Sequence, residues 1–415
     1  MNRKAKGILF ITVLIDMIGL GIIIPFVPII FDLQTFFPTD FSAQNIHIIL
    51  GLLLASYPFA QFFGSPVLGR LSDNHGRKNI LTLSLIGSLI GYFVFAWGIQ
   101  ASSLWLLFAS RLIDGFTGGN ISVAMAAIAD ISRNEKEKVR NFGMIGAAFG
   151  LGFIIGPALG GLLSDSHISP YFTIETPFMG AGILAFINFN LVHFALPETL
   201  KNKKKRKINF KDSFNNLRIA FSLKQLRTVF LALFLVNLGW VLFEYFFQVF
   251  LYTQFHLTAS TIAFLFVYIG FWIVLSQGYL VRKVSGKVAA PTLLKFTLLP
   301  ASLFLFLVAF STKSQLYYFL PFLAVFMGFT QPNFSAILSE STAAQSQGEI
   351  LGIRQSVVSS TQFIAPLIGG FLLNLDHQQN GSRTPLLAGS IIIFIGWIFV
   401  LLIKKATKKL SFERN

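Results

Sequence analysis

The chain has 415 residues, 54% of them hydrophobic and only 12% charged, with 48 phenylalanines and a formal net charge of +16. Soluble globular chains carry about 25% charged residues, so water is excluded as the main solvent, and the lack of cysteine excludes disulfides and thiolate metal sites. A nucleic-acid partner is excluded by where the charge lies. Of the 33 Lys and Arg, 28 fall in residues 1–7, 70–78, 131–140, 197–227, 281–290 and 404–415, the gaps expected on one side of a bilayer.

Windows of 18 or more apolar residues recur along the chain, each long enough to cross a bilayer. They predict twelve spans at about 8–31, 46–71, 79–98, 103–129, 140–163, 177–196, 228–252, 260–280, 291–310, 316–338, 350–374 and 384–403. The first is too long for a signal-peptide core and reads as a retained helix. The positive-inside rule puts both termini in the cytoplasm of a multi-pass inner-membrane protein. The expected fold is therefore all-α: six spans in 1–196, a basic linker at 197–227, and six more in 228–415 ending in a basic tail.

Charge inside a span costs about 2.5–3.5 kcal/mol on insertion scales, so each case needs a reason. In the first span that residue is Asp16, followed by Gly19 and Gly21. Its carboxyl is suited to carrying a proton, or is hydrogen-bonded for structure. Between the second and third spans, GRLSDNHGRK (69–78) places Asp73 and Arg77 four residues apart. The fourth span carries Arg111 and Asp114, three apart on one face, which either neutralise each other or work together on a proton. Asp130 ends that span and Arg140 opens the next.

The fifth span contains GFIIGPALGG (152–161). Ala148, Gly152, Gly156, Gly160 and Ser164 recur every four residues, a smooth strip that lets another backbone approach closely, with Pro157 and Gly161 beside it. Such a strip is a tight packing face or a seam along which two parts of the protein press and separate.

After the linker, the seventh span reads NLGWVLFEYFFQVFL. Glu244 lies near its middle among Trp240, Tyr245 and Phe247, with Gln248 one turn on. A carboxylate among ring faces can attract a cationic or amphipathic substrate, or serve as a second protonation site. Gln277, Gln331, Asn333 and Gln362 add neutral polar groups to later spans, while Lys295 and Arg354 are expected to snorkel to the interface.

The two halves repeat at an offset of 209 residues: Pro157 maps to Pro366, Gly160 to Gly369 and Gly69 to Gly278. A duplicated six-helix unit is how secondary transporters place a site between repeats.

GFIIGPALGG closely resembles the fifth-helix signature of the drug/proton antiporters of the major facilitator superfamily. GRLSDNHGRK is similar to that superfamily's loop motif at Gly69, Leu71, Ser72, Asp73, Gly76, Arg77 and Lys78, departing at Asn74, where a basic residue is usual. RLIDGFTGGN (111–120) is similar to the fourth-helix motif through Arg111 and Gly115. LIDMIGLGIIIPFVP (14–28) and ADISRNEKEKVRNFG (129–143) look like the tetracycline-exporter branch. The resemblance implies two pseudo-symmetric bundles exchanging an outgoing amphipathic drug or small metabolite for protons. Asp16, Arg111 and Asp114 would couple protons, and Glu244 and Gln248 would bind substrate. Gly152, Gly156, Pro157, Gly160 and Gly161 would form the seam. Gly69, Asp73, Gly76, Arg77, Asp130 and Arg140 would latch one state.

No GxxxxGK[ST] sequence or partnered nucleophile is present, so neither ATP use nor enzymatic catalysis is expected, nor any cofactor or metal. The expected partners are a small molecule, protons and the bilayer around a monomer. A symporter or uniporter of the same fold, and a receptor or assembly protein that has lost transport, are the alternatives.

Overall fold

A computed structural model describes residues 2–23, 36, 43–132, 135–200, 212–284, 287–342, 347–374 and 381–403. The basic run KNKKKRK (201–207), the C-terminal tail from 404, and Pro25 to Pro28 at the end of the first-span motif lie outside the described residues.

Among the described residues, twelve helical stretches are long and apolar enough to cross a membrane: Arg3–Ile23, Asn45–His75, Arg77–Gln100, Leu104–Asp130, Asn141–Leu163, Thr176–Ala195, Arg227–Phe255, Ala259–Val284, Ala290–Ala309, Lys313–Glu340, Ile350–Asn374 and Thr384–Leu401. They are numbered below as spans one to twelve. Leu83, Phe186, Phe264, Phe296 and Leu303 stay uncovered on outward faces, as lipid contact requires.

The chain divides into two compact units. One holds residues 1–210 with His256–Val267, the other Lys211–Phe255 with residues 268–415. In the first, Leu9, Val13, Leu81, Leu85, Val123, Ala127, Ile145 and Ala148 share one apolar core. In the second, Phe230, Phe243, Phe246, Phe247 and Phe250 of span seven are fully buried.

Spans two and three run further than hydropathy predicts and meet at one residue. Span two stays helical through His75, Gly76 takes φ of 106°, and the next helix starts at Arg77. That φ is readily adopted only by glycine, so the one-residue joint needs Gly76.

Spans four and ten are each broken, at matching places. Span four consists of Leu104–Thr117 and Asn120–Asp130, parted at Gly118 and Gly119. Span ten consists of Lys313–Gly328 and Thr330–Glu340, parted at Phe329. The 209-residue offset carries Asn120 onto Phe329. A break inside a membrane frees backbone groups that a neighbour must satisfy. In the first unit Gln61 of span two donates Nε2 to Gly118 O at 3.0 Å, and in the second Ser276 of span eight donates to Val325 O at 2.7 Å. Close approach explains the glycines at the first break. A Cβ on Gly119 would stand 2.5 Å from Ser65 N.

Candidate functional site

The break in span four positions the polar cluster of the first unit. Asn120 opens the second half of the span and donates Nδ2 to Asp16 Oδ2 at 2.8 Å. From span six, Asn188 donates to Asp16 Oδ1 at 3.3 Å and to Thr12 O at 3.2 Å. Each carboxyl oxygen thus receives one amide proton. Both asparagines are buried, and the Oδ1 of each has no partner among the described residues.

Before the break, Arg111 and Asp114 are both buried, with Nη2 and Oδ2 3.4 Å apart. Neither of those atoms has a hydrogen bond among the described residues, where the pair attracts by charge alone. The guanidinium also lies over the ring of Phe95, 4.6 Å from its centroid, and 5.9 Å from that of Tyr57. Two glycines permit this density: a Cβ on Gly91 would fall 2.7 Å from Asp114 Cβ, and one on Gly115 would fall 2.2 Å from Tyr57 O.

The strip on span five packs against span one within the same unit. A Cβ on Gly152 would lie 2.3 Å from Met17 Cβ, and one on Gly156 would lie 2.6 Å from Ile18 O. Pro157 reaches Gly21, whose own Cβ would be 2.9 Å from Pro157 Cδ. The strip therefore holds the helix segment just after Asp16. Gly160 is buried on the same helix. Gly161 instead meets Ala263 and Ser260 of the stretch that groups with the first unit.

At the span two–three joint, Arg77 Nη1 pairs with Asp73 Oδ1 at 2.7 Å, Arg77 Nε donates to Asp130 Oδ2 at 2.9 Å, and Nη1 also donates to Ser72 Oγ at 2.6 Å. Glu198, just past span six, caps the third helix. It accepts from the backbone N–H of Arg77 at 3.0 Å and of Lys78 at 3.3 Å, a favourable place for an anion. Gly69 faces Ser122 at ordinary contact distance. Arg140 lies on the fifth-span helix, and its side chain is outside the described residues. Lys6 and Glu137 form a further ion pair between the first and fifth helices.

In the second unit Glu244 is half-buried and makes no hydrogen bond among the described residues. Gln248, expected beside it as a substrate contact, is fully buried and turns back to donate to Tyr245 O at 2.9 Å. Arg354 does not snorkel. Its Nη2 donates inward to Gln331 Oε1, and Gln331 Nε2 donates to Asn237 Oδ1 at 2.6 Å. Gln331 is the second residue after the break in span ten, so both units gather polar groups at the break.

Sequence reasoning singled out Asp16, Arg111, Asp114 and Glu244 but assigned nothing to Asn120, Asn188, Asn237 or Glu198. The available signal was a neutral amide inside an apolar run, as in FINFNLVHF (186–194).

Twelve membrane helices among the described residues, a repeated broken helix in each half and carboxyl groups within the spans define a secondary membrane transporter. The major facilitator superfamily model matches residues 9–366, and the chain belongs to that superfamily, in its drug/proton antiporter branch. It is 30% identical over 412 residues to the class B tetracycline resistance protein of Escherichia coli, covering 97% of this chain and 92% of that one. It is 28% identical to the quinolone resistance protein NorA of Staphylococcus aureus (strain MSSA476), covering 100% of each. The fold is similar to that of a D-xylose–proton symporter, with a TM-score of 0.79 and 13% identity over 98% of this chain and 99% of that chain.

Proposed function

We propose that this transporter exports an amphipathic drug or small metabolite across the inner membrane in exchange for protons, by alternating access of two six-helix bundles. The observation that carries the reading is the Asp16 carboxyl held by two amides beside the Arg111–Asp114 pair. It sits in a chain that aligns end to end with tetracycline and quinolone resistance proteins. Asp16 is the proton carrier. Its amide partners fix the carboxyl in place, and their spare Oδ1 atoms can accept the carboxyl proton after an amide flip. Arg111, with Asp114, senses the charge of Asp16 and gates proton passage. Glu244, without a partner among the described residues, faces substrate, and Gln248 supports the helix behind it. The contacts at Gly152, Gly156 and Pro157 let the first span move as one body with the fifth, and Gly160 and Gly161 extend the same small-residue seam toward Ser260 and Ala263 of span eight. Gly69, Asp73, Gly76, Arg77, Asp130 and Arg140 latch the cytoplasmic end, a charge set that biases a two-state equilibrium when it forms in one state. The bundles comprise residues 1–196 and 228–415, joined by a basic cytoplasmic linker at 197–227, with both termini cytoplasmic and the protein working as a monomer in lipid.

The test is expression in a bacterial host deleted for its own efflux pumps. The wild type is expected to raise the inhibitory concentration of tetracycline or a quinolone at least fourfold, and D16N to abolish the increase at equal membrane abundance. Unchanged susceptibility to every compound of a broad drug panel contradicts export of drugs.

A further inference from the structure

Span eleven carries a cation that the fold draws inward and that has no counter-charge among the described residues. Arg354 is four residues past Ile350, where the span begins. An arginine there reaches the interface easily, and one that faces lipid does so. The Arg354 guanidinium instead meets Gln331, nine residues before Glu340 at the end of span ten, or about 13 Å of helix at ~1.5 Å per residue. Gln331 is held in turn by Asn237, whose own Nδ2 donates to Leu233 O at 2.8 Å. Three spans therefore cooperate to aim one guanidinium, and its contact is a neutral carbonyl oxygen. Its Nε is sealed from solvent and has no partner among the described residues. Among the described residues no carboxylate pairs with it; the ion pairs found there, Lys6–Glu137, Arg77 with Asp73 and Asp130, and Arg111–Asp114, all belong to the first unit.

The surroundings narrow what this guanidinium can bind. Asn237, Trp240 and Glu244 are spaced by three and four residues and so share one face of span seven. Trp240 and Glu244 are only half-buried. From Asn237 to Glu244 is about 10 Å of helix rise. One line of the second unit thus offers a cation at one end, an indole along it and a carboxyl at the other.

We infer that Arg354, aimed by Gln331 and Asn237, anchors an anionic oxygen of the cargo, a carboxylate or an enolate, on an aromatic body that lies along Trp240. A planar guanidinium with free N–H groups binds such an oxyanion by charge-assisted hydrogen bonds, strongest where water is excluded. The assignment names the class of cargo within the export reading and rests on that reading only for the word cargo.

Equilibrium binding to the purified full-length protein in detergent tests it without any gradient, so its outcome is separate from that of proton coupling. The probes are 1-pyrenebutyrate and its neutral N-methylamide, followed by fluorescence anisotropy. The wild type is expected to bind the carboxylate at least tenfold more tightly than the amide. R354Q is expected to weaken the carboxylate at least tenfold and leave the amide within twofold. If R354Q is not recovered folded, R354K decides: it keeps the charge but loses the planar fork, and a preference reduced at least threefold supports the site. Equal affinity of the wild type for both probes, no binding of either, or an unchanged preference in the Arg354 variant recovered overturns it. A carboxylate preference in a protein that moves no protons leaves the site standing and removes the export reading.

Discussion

The two units solve the problem of charge in a membrane in opposite ways. In the first, each intramembrane charge has a partner: Asp16 receives two amides, and Arg111 lies 3.4 Å from Asp114 and over two rings. In the second, the positions 209 residues beyond Arg111 and Asp114 are Leu320 and Leu323, both buried. The charges there, Glu244 and Arg354, have respectively no partner and one neutral partner among the described residues. A duplicated fold has kept the broken helix in both halves and changed what is gathered at the break. Paired groups suit a proton that must be held and released repeatedly. Unpaired groups suit something that arrives from outside.

The largest effect that would break this comparison is on Arg111. Removing one member of a buried pair leaves an uncompensated charge, at about 3–5 kcal/mol. R111A is expected to lower the thermal unfolding temperature markedly, with R111A/D114A recovering more than half of the loss while staying inactive in transport. A melt of R111A indistinguishable from wild type would show that the pair is not holding the first unit.

The glycines give the next largest effect. G156A puts a Cβ 2.6 Å from Ile18 O and is expected to cost about 1–3 kcal/mol as overpacking. G278A meets nothing within 4 Å and is expected to stay within about 0.5 kcal/mol of wild type. Parallel melts of the two variants check this, and equal losses would refute the account of span five as a packing face.

A smaller loss is expected at Asn188. N188A removes one donor from Asp16 and should destabilise by about 0.5–1.5 kcal/mol while slowing proton-driven transport. N190A, whose side chain bonds to Phe186 O in its own helix, should leave transport unchanged. The smallest stability effect belongs to E244Q, within about 0.5 kcal/mol, because no partner is lost. Its transport should nonetheless fall at least tenfold, and a fully active E244Q would remove Glu244 from the substrate path.

Much of the fold was legible because a span must be long and apolar whatever it touches. The breaks at Gly118–Gly119 and Phe329 were not. Each broken stretch as a whole is still long and apolar enough to count as one crossing, and the groups that compensate, Gln61 and Ser276, come from other spans. In the site, Asp16, Arg111, Asp114 and Glu244 stood out because a charge in lipid is costly. Asn188 and Asn237 did not, since a neutral amide costs little and its partner lies far away in sequence. Arg354 misled for a related reason. Its place near a span end indicates snorkelling, and its inward turn is set by Gln331, a residue of another helix. Glu198 fell outside every span, where a carboxylate attracts no notice until the helix it caps is seen.

The central claim is that the paired charges of the first unit couple protons to an outgoing compound. Its most direct test is proton flux in proteoliposomes holding the purified protein and a pH-sensitive dye, started by a gradient of tetracycline or a quinolone with no imposed pH difference. The account predicts proton movement opposite to the drug, abolished in D16N and retained in N190A. A wild type that moves drug with no proton movement, or a D16N that still moves protons, would contradict it.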